Sequence, residues 1–95
     1  MNRYSLSAEA RRDVKEIWKY ISVQSESVAT RQIDVFFSRF SLLAMHPMIG
    51  EQCIELADNL RRHICSRWVI YYRLTHRGIR IVRVVDGARD LEKLF

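Results

Sequence analysis

The side chains best suited to chemistry lie within residues 61–95 of this 95-residue chain. His63 follows Arg61 and Arg62 in "LRRHIC", which sets a potential proton acceptor beside two cations. A single histidine on a strand is more often structural or surface-exposed than catalytic, and no serine–histidine–carboxylate order accompanies it. The sequence therefore does not favour an enzyme.

The cysteines and histidines do not form a metal-binding pattern. Cys53 and Cys65 lie far apart and lack a C-x-x-C or C-x-x-H frame, so we predict free thiols, one of them on a strand. His63 and Cys65 share one side of a predicted strand, but two ligands do not define a zinc site. We predict no metal and no cofactor.

Positive charge is concentrated in the second half of the chain. Residues 1–60 carry seven lysines and arginines against eight carboxylates, whereas residues 61–95 carry nine against three, and eight of those nine are arginines. Such a basic half fits an acidic partner, either nucleic acid or an acidic protein surface. It equally fits an arginine-rich sheet that is simply solvated, and charge alone does not separate the two interpretations.

Composition indicates one globular domain over residues 1–95. Hydrophobic residues make up 48% and charged residues 28% of the chain, which is typical of a soluble fold. No apolar run approaches the ~18 residues of a membrane span. The opening "MNRYSLSAEA" lacks the apolar segment of a secretion signal, so we expect a cytoplasmic protein with no membrane partner.

A strand at about residues 3–6 and two helices are predicted in the first half. Ser7 is placed as the N-cap of a helix that runs to about Gln24. A second helix runs from about Val28 to His46, where Pro47 stops it, and the short break between the helices indicates an antiparallel hairpin. Their inner faces comprise Ala10, Val14, Ile17, Trp18 and Ile21, then Ala29, Ile33, Phe36, Phe37, Phe40, Leu43 and Ala44.

The second helix carries an additional apolar row, Val28, Val35 and Leu42, at heptad spacing. Wide apolar stripes are common on helices that are sunk deeply into their own core, so we interpret this row as core. The alternative is a surface that receives a partner.

The segment "LRRHICSRWVIYYRLTHRGIRIVRVVDG" predicts three strands, with a hairpin turn at Gly78. In the middle strand, the alternation predicts one face with Trp68, Ile70, Tyr72 and Leu74 and the other with Val69, Tyr71 and Arg73. In the last strand, it predicts one face with Ile79, Ile81 and Val85 and the other with Val82 and Val84. Both faces of the sheet are therefore apolar, while only two helices are available to cover them. Uncovered apolar area of this kind is typical of a protein with a binding partner.

Four segments in this order, "LSAEARRDVKEIWKYI", "LLAMHPMIGE", "RWVIYYRL" and "IRIVRVVDGARDLEKLF", resemble the ParE branch of the ParE/RelE toxin superfamily. These proteins are the toxin halves of bacterial type II toxin–antitoxin pairs and are associated with plasmid stabilisation. The resemblance covers nearly the whole chain. It implies an α+β fold, with an N-terminal strand and a two-helix antiparallel hairpin packed on a mainly antiparallel, twisted sheet.

The resemblance also implies a partner. A ParD-like antitoxin would wrap the chain with a C-terminal helix and an extended acidic tail, in a heterotetramer or larger complex, and an acidic tail suits the basic half. No small-molecule substrate is implied. The candidate antitoxin-binding residues are Ile17, Tyr20, Ile21, Val35, Phe36, Leu42, Val69, Tyr71 and Arg73.

Two activities exist within the superfamily, and the RelE-like one fits poorly. RelE-like members cut messenger RNA on the ribosome, which requires a base, an acid and cations around the phosphate. Arg89 matches an arginine of that group, but Phe95 stands where some members keep a tyrosine, and phenylalanine cannot move a proton. Glu51, Glu55 and Asp58 in the preceding loop would repel an RNA backbone.

ParE-like members instead bind DNA gyrase and trap its cleaved DNA complex, which requires no proton-transfer groups. The alternative for Arg89 is a salt bridge to Asp86, Asp90 or Glu92, and for the last side chains it is packing onto the sheet. A further alternative is a weakly toxic protein of this fold with another target. The candidate target-binding residues are Arg80, Arg83, Arg89, Leu91, Leu94 and Phe95.

Overall fold

The computed structural model describes residues 3–88, which form two helices and a five-stranded sheet. The strand order is β1-β5-β4-β3-β2, and only the pair of β1 and β5 is parallel. This arrangement confirms the predicted α+β fold. The elements are β1 (Arg3–Leu6), α1 (Ala8–Ser22), α2 (Glu26–Met45), β2 (Glu51–Gln52), β3 (Leu60–Cys65), β4 (Trp68–Thr75) and β5 (Gly78–Asp86).

Ser7 caps α1, as the sequence predicts, and also ties the helix to the sheet. Its Oγ accepts a hydrogen bond from the Ala10 amide at 2.9 Å and donates one to the Val82 carbonyl at 2.7 Å. The helix ends at Ser22, two residues before the predicted end. A single buried hydroxyl thus fixes both the start of α1 and its position over β5.

The second helix begins two residues earlier than predicted, because Ser25 is its N-cap. The Ser25 Oγ accepts a hydrogen bond from the Val28 amide at 3.2 Å, which brings Glu26 into the first turn. A carboxylate there interacts favourably with the helix dipole. The helix ends at Met45, two residues before Pro47.

The helix hairpin covers one face of the sheet, and the main core lies between them. Phe36 is central to this core: its ring lies edge-on to Trp68, with centroids 6.2 Å apart, and stacks near Phe40 at 6.4 Å. The buried members are Ala10, Val14, Ile17, Phe36, Phe40, Leu43, Ala44, Cys65, Trp68, Ile70, Tyr72, Ile79, Ile81 and Val84.

A β-bulge in β5 changes the faces predicted for two of its residues. Tyr71 pairs with Arg83 and Tyr72 pairs with Ile81, so Val82 is an extra residue between the two pairs. An extra residue shifts the alternation beyond it by one position. The prediction that Val85 shares a face with Ile79 and Ile81 is therefore wrong, and Val84 takes that place.

The opposite face of the sheet holds a second, smaller core. Its buried members are Cys53, Leu60, Val69, Tyr71 and Val85. Val82 packs against them, and so do Leu56 and Ala57 of the loop after β2. This loop covers part of the face that the sequence left uncovered. Both cysteines are free and buried, and Cys65 lies on β3, as predicted.

The interpretation of the additional row on α2 as core is wrong. Val28, Val35 and Leu42 are 47%, 38% and 38% exposed. These three residues and Arg39 lie on one flank of the helix, because successive members are separated by three, four or seven positions. The buried residues of α2, such as Phe36 and Phe40, lie on a different side. Phe37, also predicted to be core, is 41% exposed on the surface of α2, where its ring meets Phe40 edge-on. We refer to Val28, Val35 and Leu42 as the α2 row.

Candidate functional site

Arg83, predicted to support target binding, forms a partly buried ion pair with α1. Its Nε and one terminal nitrogen donate to the two Asp13 oxygens at 2.8 and 3.0 Å. Asp13 also accepts the Val84 amide at 2.9 Å. The hydrogen bonds with Asp13 raise the pKa of Arg83. This guanidinium therefore joins α1 to β5 and has little surface left for a target.

Arg80 is exposed, in contrast to Arg83. Its guanidinium donates to the Ser5 Oγ at 3.2 Å, and it lies directly opposite Arg73 of β4 in the antiparallel register. Arg89, Leu91, Leu94 and Phe95 lie outside the described residues. Of the three carboxylates proposed as partners of Arg89, Asp86 is bound by the Arg67 guanidinium.

The predicted antitoxin-binding residues divide by exposure. Ile17 and Phe36 are 7% and 0% exposed in the main core, which leaves little surface on Ile17 and none on Phe36 for a partner. Val69 and Tyr71 are likewise buried, in the second core against which Leu56 and Ala57 pack. The remaining candidates, Tyr20, Ile21, Val35, Leu42 and Arg73, all retain exposed surface.

His63 is engaged with α2 and is not poised as a base. One Arg39 terminal nitrogen lies 2.9 Å from the His63 Nε2, and because a guanidinium can only donate, this Nε2 is the acceptor of a neutral ring. Burial and the Arg39 charge lower the pKa of His63. The lone pair that would accept a proton from a substrate is already used inside the protein.

The segment between α2 and β2 presents apolar side chains from an anchored loop. The Tyr72 hydroxyl donates to the Pro47 carbonyl at 2.7 Å and accepts the Gly50 amide at 2.8 Å. A side chain at Gly50 would collide with this hydroxyl, since its Cβ would lie 2.3 Å from the Tyr72 oxygen. Between the anchors, Met48 and Ile49 are 66% and 51% exposed.

This apolar loop was not predicted as a site. Its signal in the sequence is the pair Met48-Ile49 between Pro47 and Gly50, because two large apolar residues inside a proline–glycine turn have no core to enter. Helical or strand periodicity cannot find such residues, because the loop has neither period.

Within residues 3–88, no group of three or more histidine, cysteine, aspartate or glutamate side chains is arranged to hold a metal ion. In the same part of the chain, neither helix has the length and apolar character needed to cross a membrane.

Comparison with known proteins gives a consistent result. The family model described as "ParE toxin of type II toxin-antitoxin system, parDE" matches residues 4–91. Toxin ParE3 of Caulobacter vibrioides is 31% identical over 64 residues, which cover 67% of this chain and 64% of that protein. Toxin ParE1 of Mycobacterium tuberculosis is 28% identical over 97 aligned positions, which cover 97% of this chain and 96% of that protein.

Two solved structures share the fold. A chain of the chromosomal ParDE TA system from P. aeruginosa matches with a TM-score of 0.77 and 15% identity, over 90% of this chain and 96% of its own. A chain of the E. coli DinJ–YafQ complex matches with a TM-score of 0.66 and 17% identity, over 93% and 96%. At these identities the likeness concerns the fold alone.

Proposed function

Since this chain belongs to the ParE toxin family of type II toxin–antitoxin systems, we propose that it acts by binding and inhibiting DNA gyrase and that a ParD-like antitoxin neutralises it. The proposal concerns the target and the partner. It requires surfaces for two proteins and no catalytic groups, and the described residues supply such surfaces.

The observation that carries the proposal is that two side chains suited to proton transfer among residues 3–88, His63 and Tyr72, are occupied inside the fold. The His63 Nε2 accepts from Arg39, and the Tyr72 hydroxyl is bonded to two backbone groups. Burial raises the pKa of Tyr72, which keeps that hydroxyl protonated. Arg83 is bound to Asp13. Metal-independent RNA cleavage needs a free base and a free acid beside the phosphate, and neither His63 nor Tyr72 is free for these roles, so this arrangement favours inhibition by binding.

The exposed apolar side chains support an antitoxin partner. The α2 row is exposed along three turns or more of helix, and an amphipathic helix or extended segment laid along it would bury that area. The P. aeruginosa chain of the same fold comes from a ParDE system, which makes a ParD-like protein the natural occupant. We propose a complex of at least two toxins with two antitoxins.

A supercoiling and DNA-cleavage assay with purified gyrase tests the target. We expect the protein to inhibit supercoiling and to accumulate cleaved DNA, and we expect the preformed complex with the antitoxin to do neither. The complex is the matched control, because it contains the same toxin with its surfaces covered.

The C-terminal segment holds further candidates for the gyrase contact, namely Arg89, Leu91, Leu94 and Phe95. We expect Arg89→Gln to weaken gyrase inhibition about tenfold or more, in line with the loss of one charged contact at an interface. Lys93→Gln is the matched control, since it removes the same charge from the same segment. Equal effects of the two substitutions would reduce Arg89 to one of several interchangeable charges.

The other outcomes of the gyrase assay have defined meanings. If a large excess of protein leaves gyrase unaffected, ribosome-dependent cleavage of messenger RNA becomes the hypothesis to test, with Arg61, His63 and Arg89 as the first residues to substitute. If neither gyrase nor messenger RNA responds while the antitoxin still binds, the protein is a weakly toxic member of the family with another target.

A further inference from the structure

Among the arginines at residues 61–88, some are bound by carboxylates or by a backbone carbonyl of the fold, and others are not. Arg61 donates to the Gly50 carbonyl at 2.6 Å, and Arg62 pairs with Glu51 at 3.2 Å. Arg67 and Arg83 are each bound to an aspartate. The ion pairs offset the charges of Arg62, Arg67 and Arg83, so the positive charge that is available to a partner lies on other arginines of this half.

That charge lies where β1 meets the β4–β5 hairpin. We define the cationic end as Arg73, Arg77 and Arg80, together with His76 in the turn. Arg73 and Arg80 are direct cross-strand partners, and Arg77 lies in the turn that connects their strands. A shallow pocket beside them is lined by Arg3, Tyr4, Ser5, Thr75, His76, Arg77, Ile79 and Arg80.

This placement opposes the stability of the isolated protein. Like charges directly opposite each other on antiparallel strands repel and are destabilising. Among residues 3–88, no carboxylate pairs with Arg73, Arg77 or Arg80, and Arg80 bonds to a neutral hydroxyl, that of Ser5. An array of exposed cations without carboxylates favours a polyanionic ligand, because each phosphate or carboxylate it meets relieves this repulsion.

The side chains around the cationic end favour a phosphate backbone over a protein. Protein interfaces are built around a buried apolar or aromatic centre. Serine, threonine and histidine accompany the arginines in this pocket; its apolar lining comes from Tyr4 and Ile79, which belong to the main core or pack against it, and none of the strongly exposed large apolar side chains lines it. Arginine, serine, threonine and histidine are suited to phosphate oxygens, and arginine binds them in a bidentate manner.

We propose that the cationic end binds the phosphate backbone of duplex DNA without sequence preference. One part of this proposal rests on the proposed function: the duplex that the protein meets is the one that gyrase holds when the inhibitor acts. The binding itself requires only the chain and DNA. A toxin bound to gyrase would thus contact gyrase with one surface and the DNA held by gyrase with the cationic end.

Fluorescence anisotropy with a labelled duplex of about 20 base pairs tests this binding on the full chain at about 50 and about 200 mM salt. We expect Arg73→Gln/Arg80→Gln to weaken binding about tenfold at the lower salt. The slope of log Kd against log salt should fall by about 2, because about two phosphate contacts are lost. Neither substitution removes a core contact, so the melting temperature should not fall.

The matched control is Arg11→Gln/Arg12→Gln, which removes the same charge from exposed positions on α1. We expect its DNA affinity to change less than threefold, by roughly what net charge alone contributes. An equal loss in both double variants would overturn the proposal, because attraction would then follow net charge. Tighter binding of a polyglutamate peptide than of the duplex would overturn it in favour of an acidic protein, and tighter binding of single-stranded RNA would overturn it in favour of RNA.

The gyrase assay separates this proposal from the proposed function. If the wild type inhibits gyrase but does not bind DNA on its own, the cationic end has failed as a DNA site while gyrase inhibition stands. If the wild type binds DNA through Arg73 and Arg80 but leaves gyrase unaffected, the DNA site stands and the proposed target fails.

Discussion

The α2 row and the cationic end expose opposite chemistry on one small fold. Val35 and Leu42 are each 38% exposed on a helix flank, whereas Arg73 and Arg80 face each other across two strands. Covering the first surface gains free energy through apolar burial, at about 25 cal/mol per Å², and depends little on salt. Covering the second releases counterions and depends steeply on salt. The two surfaces therefore suit two different partners, and salt distinguishes them.

The comparison also shows why net charge is a poor guide to a binding surface. Arg83 and Arg80 are three residues apart on β5, and the sequence treats them alike. In the structure the first is bound to Asp13 and the second is exposed. Whether an arginine is available depends on which carboxylate the fold brings to it, and Asp13 is 70 positions away along the chain.

The largest effect is expected where an arginine is structural. Asp13→Ala should destabilise the protein by about 3 kcal/mol, because it leaves the partly buried Arg83 guanidinium without its partner and the buried Val84 amide unsatisfied. Urea unfolding measures this loss. Arg80→Gln is the control and should change the free energy of unfolding by less than about 0.5 kcal/mol. Similar losses in both variants would remove the distinction between paired and exposed arginines.

The second prediction tests the α2 row directly. Val35→Ser/Leu42→Ser should weaken antitoxin binding by about 2–4 kcal/mol, as expected for truncated apolar contacts in the centre of an interface. Calorimetry or anisotropy at two salt concentrations measures the affinity, and the loss should be nearly independent of salt. Phe37→Ser is the control, because Phe37 is similarly exposed on α2 but outside the row. A larger loss from Phe37→Ser would place the antitoxin on that part of α2 instead.

Part of this arrangement could be predicted from the sequence. Helical and strand periods locate α1, α2 and the meander, and Ser7 marks the start of α1, because local patterns determine those features. The bulge at Val82 has no such pattern, so regular alternation predicts the wrong faces for Val84 and Val85. Leu56 and Ala57 cover the second core because of the path that their loop takes, and sequence periodicity does not predict the path of a loop.

The candidate surfaces were harder to predict, because each depends on contacts between distant segments. Apolar residues at helical spacing indicate a stripe, but they do not say which part of the stripe meets the sheet. Phe36 is thus buried while Val35, its neighbour, is exposed. The register that brings Arg73 opposite Arg80 follows from the turn before Gly78, and the consequence for charge becomes visible only in the paired strands.

A smaller effect concerns the anchored loop that presents Met48 and Ile49. Tyr72→Phe removes the donor to the Pro47 carbonyl and the acceptor for the Gly50 amide, so we expect a loss of about 1–3 kcal/mol in unfolding free energy. Thermal or urea unfolding measures it. Tyr20→Phe, at a side chain that is 66% exposed, is the control and should be close to neutral. An unchanged stability for Tyr72→Phe would mean that the loop is held by its other contacts.

The smallest expected effect concerns the contact between the flank of α2 and β3. His63 accepts a hydrogen bond from Arg39 only as neutral imidazole, and burial together with the Arg39 charge lowers its pKa in the folded state. The unfolded chain therefore binds this proton more readily, and stability falls as pH drops below the unfolded pKa of about 6.5. Urea unfolding at about pH 7.5 and about pH 5.5 measures the fall, and His63→Gln, which cannot titrate, should show a smaller one. An identical fall in both proteins would assign the pH dependence to other groups and would mean that protonation of His63 is not linked to folding.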